Sequence, residues 1–165
     1  MEISKTMNDA INQQVNRELF SAYLYLAMGA YFDAQNLSGF ATWMKLQAKE
    51  EQEHAQRFYD YVYSRGGQIT YKEIETPQSE WKSPLDVFKD VLNHEQKVTE
   101  MINNLLVIAR NEKDYATESM LKWFIDEQVE EEESAMNVIQ KLEEIGANKI
   151  GIMMMDGKLG ARGSH

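Results

Sequence analysis

The chain has 165 residues, of which 43% are apolar or aromatic, and it contains two prolines, nine glycines and no cysteine. A compact domain of this length buries roughly 70% of the surface that its unfolded chain exposes, so it folds without a disulfide or a zinc clip. The absence of cysteine excludes thiolate zinc sites, iron–sulfur clusters and thiol nucleophiles. The formal net charge of -10 repels phosphate backbones and anionic lipids, which argues against nucleic acid and membrane surfaces as partners.

The sequence shows no targeting or membrane-spanning segment. No apolar stretch approaches the ~20 residues that a spanning helix requires, and residues 1–20 lack the apolar segment of a signal peptide. We therefore expect a cytoplasmic protein. Residues 162–165 resemble the start of a purification tag. The sequence predicts one domain over residues 1–160, followed by a tag-derived or disordered tail over residues 161–165.

The apolar residues repeat with helical rather than alternating spacing, which predicts an all-α fold. The first helix is expected from about Ser4 to Ala34, with a core-facing series at steps of three and four residues. Ser38 is the expected cap of a second helix, which ends at the glycine pair 66–67. The core-facing series of the first helix comprises Ile11, Val15, Leu19, Ala22, Leu26 and Ala30.

Residues 67–82 lose the helical period. They are rich in β-branched and aromatic residues, which predicts an extended connection too long for a hairpin turn. Ser83 and Pro84 then provide a cap and a first helical residue for a third helix, which fades near Asn111.

Two further helices complete the predicted fold. The fourth is expected from about Tyr115 to Gly146, and a short apolar fifth helix over residues 149–160. The connections between the four long helices are short, long and short in turn. This order indicates a four-helix bundle with one long crossover and a short C-terminal helix.

Each long helix also carries acidic or amide residues beside its apolar face. Glu18 lies three residues after Val15 on the first helix, and Glu51 and His54 lie three residues apart on the second. An ionised carboxylate is too costly to bury alone, and no Lys or Arg occupies a comparable position. Such a cluster must therefore be exposed, protonated or neutralised by cations. Its other members are Glu95 on the third helix and Gln128 and Glu131 on the fourth.

Glu51 and His54 place a hard oxygen ligand and an imidazole on one helix face, a pair that suits a transition ion with mixed ligands. Iron is the natural candidate, because structural zinc fits poorly without cysteine or a second histidine in the cluster. A single Glu-x-x-His pair more often lies on a solvent-exposed surface without metal. The presence of acidic or amide residues at matching positions on four helices favours a metal centre. The alternative is a metal-free helical bundle that acts as an interaction protein, with these acids exposed to a basic partner.

Four segments around these residues closely resemble the bacterial and archaeal non-haem ferritins. They are residues 16–25 (NRELFSAYLY), 50–54 (EEQEH), 94–96 (HEQ) and 123–131 (WFIDEQVEE). The resemblance extends from the first helix to about Lys158, and ferritin-like carboxylate proteins are four-helix bundles. It implies an iron storage protein with ferroxidase activity. Such a protein oxidises Fe(II) to Fe(III) with dioxygen or hydrogen peroxide and stores a ferric mineral inside a cage of 24 subunits.

The resemblance also implies a ligand set for a diiron centre. Glu51 would bridge the two irons, and Gln128 would lie beside them as an orienting amide. Tyr25, two turns beyond Glu18 on the same face, would supply an electron. The ligands of the two irons would be Glu18, Glu51, His54, Glu95 and Glu131. A third, weaker iron site would use Glu50, Glu127, Glu130 and Glu131.

Departures from related families narrow the assignment. Bacterioferritins carry a second Glu-x-x-His motif on the fourth helix, where this chain has Gln128 and Glu131. Their haem methionine follows the glutamate of the second helix, where this chain has Gln52, so the resemblance implies no haem. It also places the short C-terminal helix, including residues 152–155, at the four-fold axes of the cage. The charge of -10 per chain would draw cations to the pores and the inner wall.

Overall fold

Residues 1–162, the part of the chain that the computed structural model describes, contain five α-helices. α1 packs along α2, α3 packs along α4, and α5 packs against α2. The predicted all-α four-helix bundle, with one long crossover and a short fifth helix, is thereby confirmed. The expectations for residues 163–165 lie outside the described residues. The helices are α1 (Lys5–Ala34), α2 (Ser38–Ser64), α3 (Pro84–Asn111), α4 (Tyr115–Ile145) and α5 (Lys149–Gly160).

Within residues 1–162, no helix combines the length and the apolar character needed to cross a bilayer. The helices are instead amphipathic, and they pack around a core that consists of two apolar clusters. One cluster is centred on Phe32 and Phe88. The other contains Phe58 and Phe124, whose ring centroids lie 4.0 Å apart. Along each long helix, the buried glutamates fall between the segments that enter these two clusters, and so do His54 and Gln128. The bundle therefore brings polar side chains from four helices to one level.

The predicted apolar series on α1 is only partly correct. Val15 and Ala22 are buried, but Leu26 is 44% exposed and Ala30 is exposed as well. The predicted steps average about 3.8 residues, longer than the 3.6-residue helical repeat, so the series drifts roughly 100° away from the core along its length. The face that stays buried continues instead through Leu24, Tyr25, Met28 and Phe32.

The N-terminus of α2 is held by a tertiary contact instead of a local cap. The prediction that Ser38 caps this helix is wrong, because Ser38 is its first residue and Leu37 precedes it without a side-chain hydrogen bond. The Asp156 carboxylate on α5 accepts a hydrogen bond from the Phe40 backbone N–H at 2.9 Å. The other helices have ordinary side-chain caps, which are Ser4, Ser83, Asp114 and Asn148.

The close approach of α5 to α2 depends on Gly39. A Cβ atom on Gly39 would lie 1.7 Å from the Asp156 carbonyl oxygen, so no side chain fits between the two helices. We expect Gly39→Ala to push α5 away and to lower the free energy of unfolding by about 1–3 kcal/mol, the usual cost of overpacking. Gly157→Ala on α5 is the matched control, because a Cβ atom there meets nothing within 4 Å. Equal thermal midpoints for the two variants would contradict the contact.

Asparagine side chains on α1 hold the extended crossover. The Gln68 backbone N–H donates to Asn8 Oδ1 at 3.0 Å, and the Thr70 N–H donates to Asn12 Oδ1 at 2.6 Å. The Asn12 amide donates in turn to the Gln68 carbonyl at 2.8 Å, and Asn16 binds the crossover in the same way one helical turn further on. The crossover is extended as predicted. It forms no strand within residues 1–162, because its backbone groups pair with side-chain amides instead of a second strand.

Candidate metal centre

All four long helices deliver polar side chains to the level between the two apolar clusters. Glu50 and Glu127 are half-buried there, while Glu130 is exposed. Burial of several acids at one level is costly, so each of them must be protonated, paired or ligated. The fully buried side chains among the predicted site residues are Glu18, Tyr25, Glu51, His54, Glu95, Gln128 and Glu131.

Glu18, Glu51 and His54 form one cluster. The His54 Nδ1 atom lies 3.1 Å from Glu51 Oε2 and 3.8 Å from Glu18 Oε2. One ligand atom from each residue lies within 4.8 Å of the other two, close enough for all three to hold a single metal ion. α1 supplies Glu18. The three-residue spacing of Glu51 and His54 on α2 places their side chains on one face of that helix.

His54 also belongs to a second cluster, with Glu127 and Glu131 of α4. Their ligand atoms again lie within 4.8 Å of one another. Glu127 and Glu131 are one helical turn apart and therefore share a face of α4. The imidazole thus stands between two sets of carboxylates, and the second set contains two of the residues predicted for a third iron site.

The other two residues predicted for that third site lie at its edge. Glu50 Oε1 accepts a hydrogen bond from Arg162 Nη2 at 2.9 Å, and the Arg162 guanidinium lies 4.7 Å from the centre of a Trp43 ring. Glu130 is exposed on α4. Burial raises the pKa of Glu127, and the nearby Glu130 and Glu50 carboxylates raise it further. Glu50 and Glu130 therefore act on Glu127 electrostatically, although neither joins a ligand cluster among residues 1–162.

Glu95 of α3 receives a hydrogen-bond donor at each carboxylate oxygen. The Tyr25 hydroxyl donates to Oε1 at 2.5 Å, and the Gln128 amide nitrogen donates to Oε2 at 3.1 Å. The structure thus brings together Tyr25, Glu95 and Gln128, but the two ligand clusters found in residues 1–162 do not include Glu95. Each oxygen of Glu95 keeps lone-pair capacity beyond these bonds, so the side chain can still accept a cation.

Burial and mutual repulsion control the protonation of the carboxylates. Burial opposes the charge on His54, but its interactions with Glu18 and Glu51 outweigh burial and raise the pKa of His54 to about 11. Burial also disfavours the charged form of Glu18, yet the His54 imidazolium and neighbouring donors prevail and lower the pKa of Glu18. Burial and the nearby Glu95 raise the pKa of Glu51 well above its ordinary value. Burial and Glu131 raise the pKa of Glu95 to about 8. The free cluster therefore retains protons at neutral pH.

One oxygen of Glu18 has no hydrogen-bond donor. The Gln14 amide donates to Oε1 at 3.0 Å, whereas Oε2 is buried and accepts no hydrogen bond from any residue between 1 and 162. A buried carboxylate oxygen without a partner is costly. A divalent cation would give this atom a direct partner, which the His54 imidazolium at 3.8 Å does not, and mixed carboxylate and imidazole donors suit iron. The residues present therefore fit an iron ion as a substrate of this site.

Two buried glutamines that the sequence analysis missed hold the carboxylates in place. Gln14 donates to Glu18, and the Gln47 amide donates to Glu131 Oε2 at 2.9 Å. Their positions carried a signal, because each lies four residues before a predicted ligand on its own helix, Gln14 before Glu18 and Gln47 before Glu51. Each amide occupies one oxygen of a carboxylate and leaves the other for a cation.

The second histidine of the bundle, His94, makes different contacts. Its Nε2 atom lies 2.6 Å from Ser21 Oγ, and its ring meets Tyr25 edge to face. Burial lowers the pKa of His94 to about 4, so the ring is neutral. Although His94 directly precedes Glu95, it is in neither ligand cluster of residues 1–162.

Comparison with known proteins identifies the family. The ferritin family model, described as a ferritin-like domain, matches residues 8–145. The bacterial non-heme ferritin of Staphylococcus aureus strain USA300 is 43% identical over 160 residues, which cover 97% of this chain and 96% of the relative. The corresponding protein of Staphylococcus haemolyticus is 44% identical over 97% of this chain.

Solved structures agree with the sequence relatives. The crystal structure of an open-pore ferritin from the hyperthermophilic archaeon Archaeoglobus fulgidus is 45% identical and superposes with a TM-score of 0.97, covering 98% of this chain and 99% of that chain. A form of the same ferritin engineered to be closed also superposes with a TM-score of 0.97. This chain therefore belongs to the ferritin family, among the non-haem ferritins of bacteria and archaea.

Proposed function

We propose that this chain is an iron storage protein with ferroxidase activity at a diiron centre. The observation that carries the proposal is the buried cluster of Glu18, Glu51 and His54, in which Glu18 Oε2 has no donor. Iron is the metal that family membership supports. A metal-free interaction protein would need these acids exposed to a basic partner, and their burial disfavours that alternative.

In the proposed centre, Glu18 and His54 bind a first Fe(II). Glu95 and Glu131 bind a second, and Glu51 bridges the two. Binding displaces a proton from His54, because imidazole ligates in its neutral form. Anionic oxygen ligands stabilise Fe(III) more than Fe(II), so this donor set favours oxidation. Two Fe(II) together give up two electrons, which reduce dioxygen to hydrogen peroxide or hydrogen peroxide to water.

Tyr25 is proposed as an additional electron donor. Burial, followed by the charge of Glu95, raises the pKa of Tyr25 well above its ordinary value, so the phenol stays protonated at neutral pH. Its hydroxyl donates directly to Glu95 Oε1. When Tyr25 loses an electron, its proton can therefore pass to Glu95, and no isolated charge has to form on the buried ring.

Storage requires an enclosed volume, and we propose a cage of 24 chains in the cytoplasm. Ile150, Met153 and Met154 on α5 are 71%, 69% and 73% exposed, and an apolar surface of this kind commonly marks an interface. The net charge of -10 per chain would attract Fe(II) to the assembly. The proposal includes no haem, because Gln52 stands where bacterioferritins have the haem methionine.

Sedimentation under native conditions tests the storage proposal directly. We expect a particle of 24 chains, and aerobic addition of Fe(II) is expected to turn that particle amber as ferric mineral forms inside it. Anaerobic addition of the same Fe(II) is the control and should leave it colourless. A colourless particle of one or two chains after aerobic addition would rule out storage, although a metal centre in each bundle could remain.

The second cluster is proposed to hold a third iron, with Glu50 and Glu130 beside Glu127 and Glu131. Replacing Glu50 and Glu130 together with alanine should leave diiron oxidation fast and change the number of Fe(II) oxidised per dioxygen, because a third Fe(II) supplies an extra electron. An oxygen electrode measures this ratio. Glu133→Ala, at an exposed position on the same helix, is the control. An unchanged ratio, together with no third anomalous peak at the iron edge, would assign Glu50 and Glu130 to the solvated surface.

A further inference from the structure

Thr99 of α3 links the centre to a partly exposed carboxylate. Its Oγ1 atom lies 2.6 Å from Glu132 Oε2 and 3.0 Å from the backbone carbonyl of Glu95, one turn earlier. The Gln128 amide nitrogen lies 3.2 Å from the same Oγ1 atom. That nitrogen also lies 3.1 Å from the Glu95 carbonyl oxygen and 3.1 Å from Glu95 Oε2. Three oxygen atoms therefore surround one end of the Gln128 amide.

The hydrogen-bonding capacity of these groups determines which end of the amide faces them. A carboxylate oxygen and a backbone carbonyl only accept, so both partners of Thr99 Oγ1 compete for its single proton. Whichever of Glu132 and Glu95 receives that proton, the Thr99 oxygen has only lone pairs left for Gln128. Once Glu95 is ionised, as metal binding requires, a Gln128 carbonyl turned toward this region would meet acceptors alone, whereas the NH2 group can donate to them.

We propose that Thr99 helps the two Glu95 oxygens to fix the orientation of the Gln128 amide and thereby supports Glu95 for iron binding. With its proton drawn to Glu132 or to the Glu95 carbonyl, Thr99 accepts from the Gln128 NH2 group. The NH2 group in turn holds Glu95 Oε2. The amide oxygen of Gln128 consequently faces away from Glu95. This inference rests on the proposed diiron centre, and Thr99 acts in it as a positioning residue.

Loss of the Thr99 hydroxyl removes one of the three acceptors that favour this amide orientation. A valine at position 99 has nearly the same shape but offers no acceptor, so only the two Glu95 oxygens hold the NH2 group and the donor to Glu95 Oε2 is less firmly fixed. Partners that bond directly to a metal ligand are typically worth about 10–100-fold in metal affinity, and Thr99, which acts through Gln128, is expected to contribute the low end of that range, about 10-fold. The effect should fall on the iron held by Glu95, whereas Glu18 keeps its own donor, Gln14.

Anaerobic titration of the metal-free protein with Co(II), followed by visible d–d absorbance, tests the proposal. Thr99→Val is expected to weaken the binding of one Co(II) ion about 10-fold relative to the parent and to leave the binding of another unchanged. Thr99→Ser keeps the hydroxyl and should restore parent behaviour. Thr42→Val is the matched control, because the Thr42 hydroxyl on the exposed surface of α2 bonds, among residues 1–162, only to the Ser38 carbonyl. Circular dichroism of each metal-free variant verifies the fold.

The possible outcomes separate this inference from the function on which it rests. A parent protein that binds no Co(II) would remove the metal centre and the role of Thr99 with it. If Thr99→Val binds Co(II) with the same affinities and the same spectra as the parent, only the role of Thr99 is overturned. The same conclusion would follow if Thr99→Val lowered the affinity for every Co(II) ion equally, or if Thr99→Ser failed to restore the lowered affinity.

Discussion

Replacing Glu51 with alanine is expected to lower the initial rate of Fe(II) oxidation by more than about 100-fold, since residues that merely orient a metal ligand already contribute about 10–100-fold. Glu51 is the proposed bridge, so the change removes a ligand from both irons at once. The fold should survive, because the substitution removes a buried acid that the metal-free protein tolerates poorly in its charged form, as the raised pKa of Glu51 indicates. Stopped-flow absorbance of ferric product measures the rate, and circular dichroism reports the fold.

Glu53→Ala is the matched control for this experiment. Glu53 lies on the same helix but is exposed, so its loss should leave the rate near that of the parent. His54→Ala should resemble Glu51→Ala, because His54 belongs to both ligand clusters. Parent-like rates in both Glu51→Ala and His54→Ala would show that oxidation takes place elsewhere.

The metal-free protein is expected to lose stability as the pH rises from about 6 to 8. Glu95 has its pKa raised to about 8 by burial and Glu131, so the native state holds a proton that the unfolded chain has released. His54, with a pKa of about 11, likewise retains a proton above pH 6.5 that the unfolded chain loses. When the native state binds more protons, the free energy of unfolding falls with increasing pH. For Glu95 alone the loss is on the order of 2–3 kcal/mol across these two pH units.

Calorimetry at pH 6 and pH 8 measures this trend. Glu95→Gln removes the titrating carboxyl and should flatten the dependence, while Glu100→Gln, at an exposed position of the same helix, should not. Bound Zn(II) should reverse the sign, because metal binding requires the deprotonated ligands and strengthens as the pH rises. A metal-free protein that is equally stable at pH 6 and 8 would show that the buried carboxyls do not hold their protons.

The sequence predicted the helices closely because their boundaries are local. Ser83 caps α3 by accepting a hydrogen bond from the N–H three residues on, Asp114 caps α4 in the same way, and Pro84 is the first residue of α3 as predicted. Ser38 failed as a cap because α2 is completed by Asp156, more than one hundred residues later in the chain. A contact of that range leaves no local pattern from which it could be predicted.

The candidate metal centre was predictable to the extent that helix periodicity places side chains on one face of a helix. Glu18, Glu95 and Gln128 stood beside apolar residues at helical spacing, and all three are buried as expected. The contacts between helices were harder to predict from the sequence. The link from Thr99 to Glu132, and the position of Glu130 outside the clusters, depend on how α3 and α4 rotate against their neighbours.

The asparagines of α1 bind the crossover through hydrogen bonds to its backbone. Their partners between residues 68 and 73 are backbone N–H and carbonyl groups, while the side chains of Gln68, Thr70 and Lys72 are exposed. The exposed positions of this stretch should therefore tolerate almost any substitution except proline at positions 68 and 70, where the backbone N–H is required, whereas Ile69 is buried in the apolar core and must stay apolar. The outer face of the bundle can accordingly change its chemistry through evolution or engineering while the path of the chain stays the same.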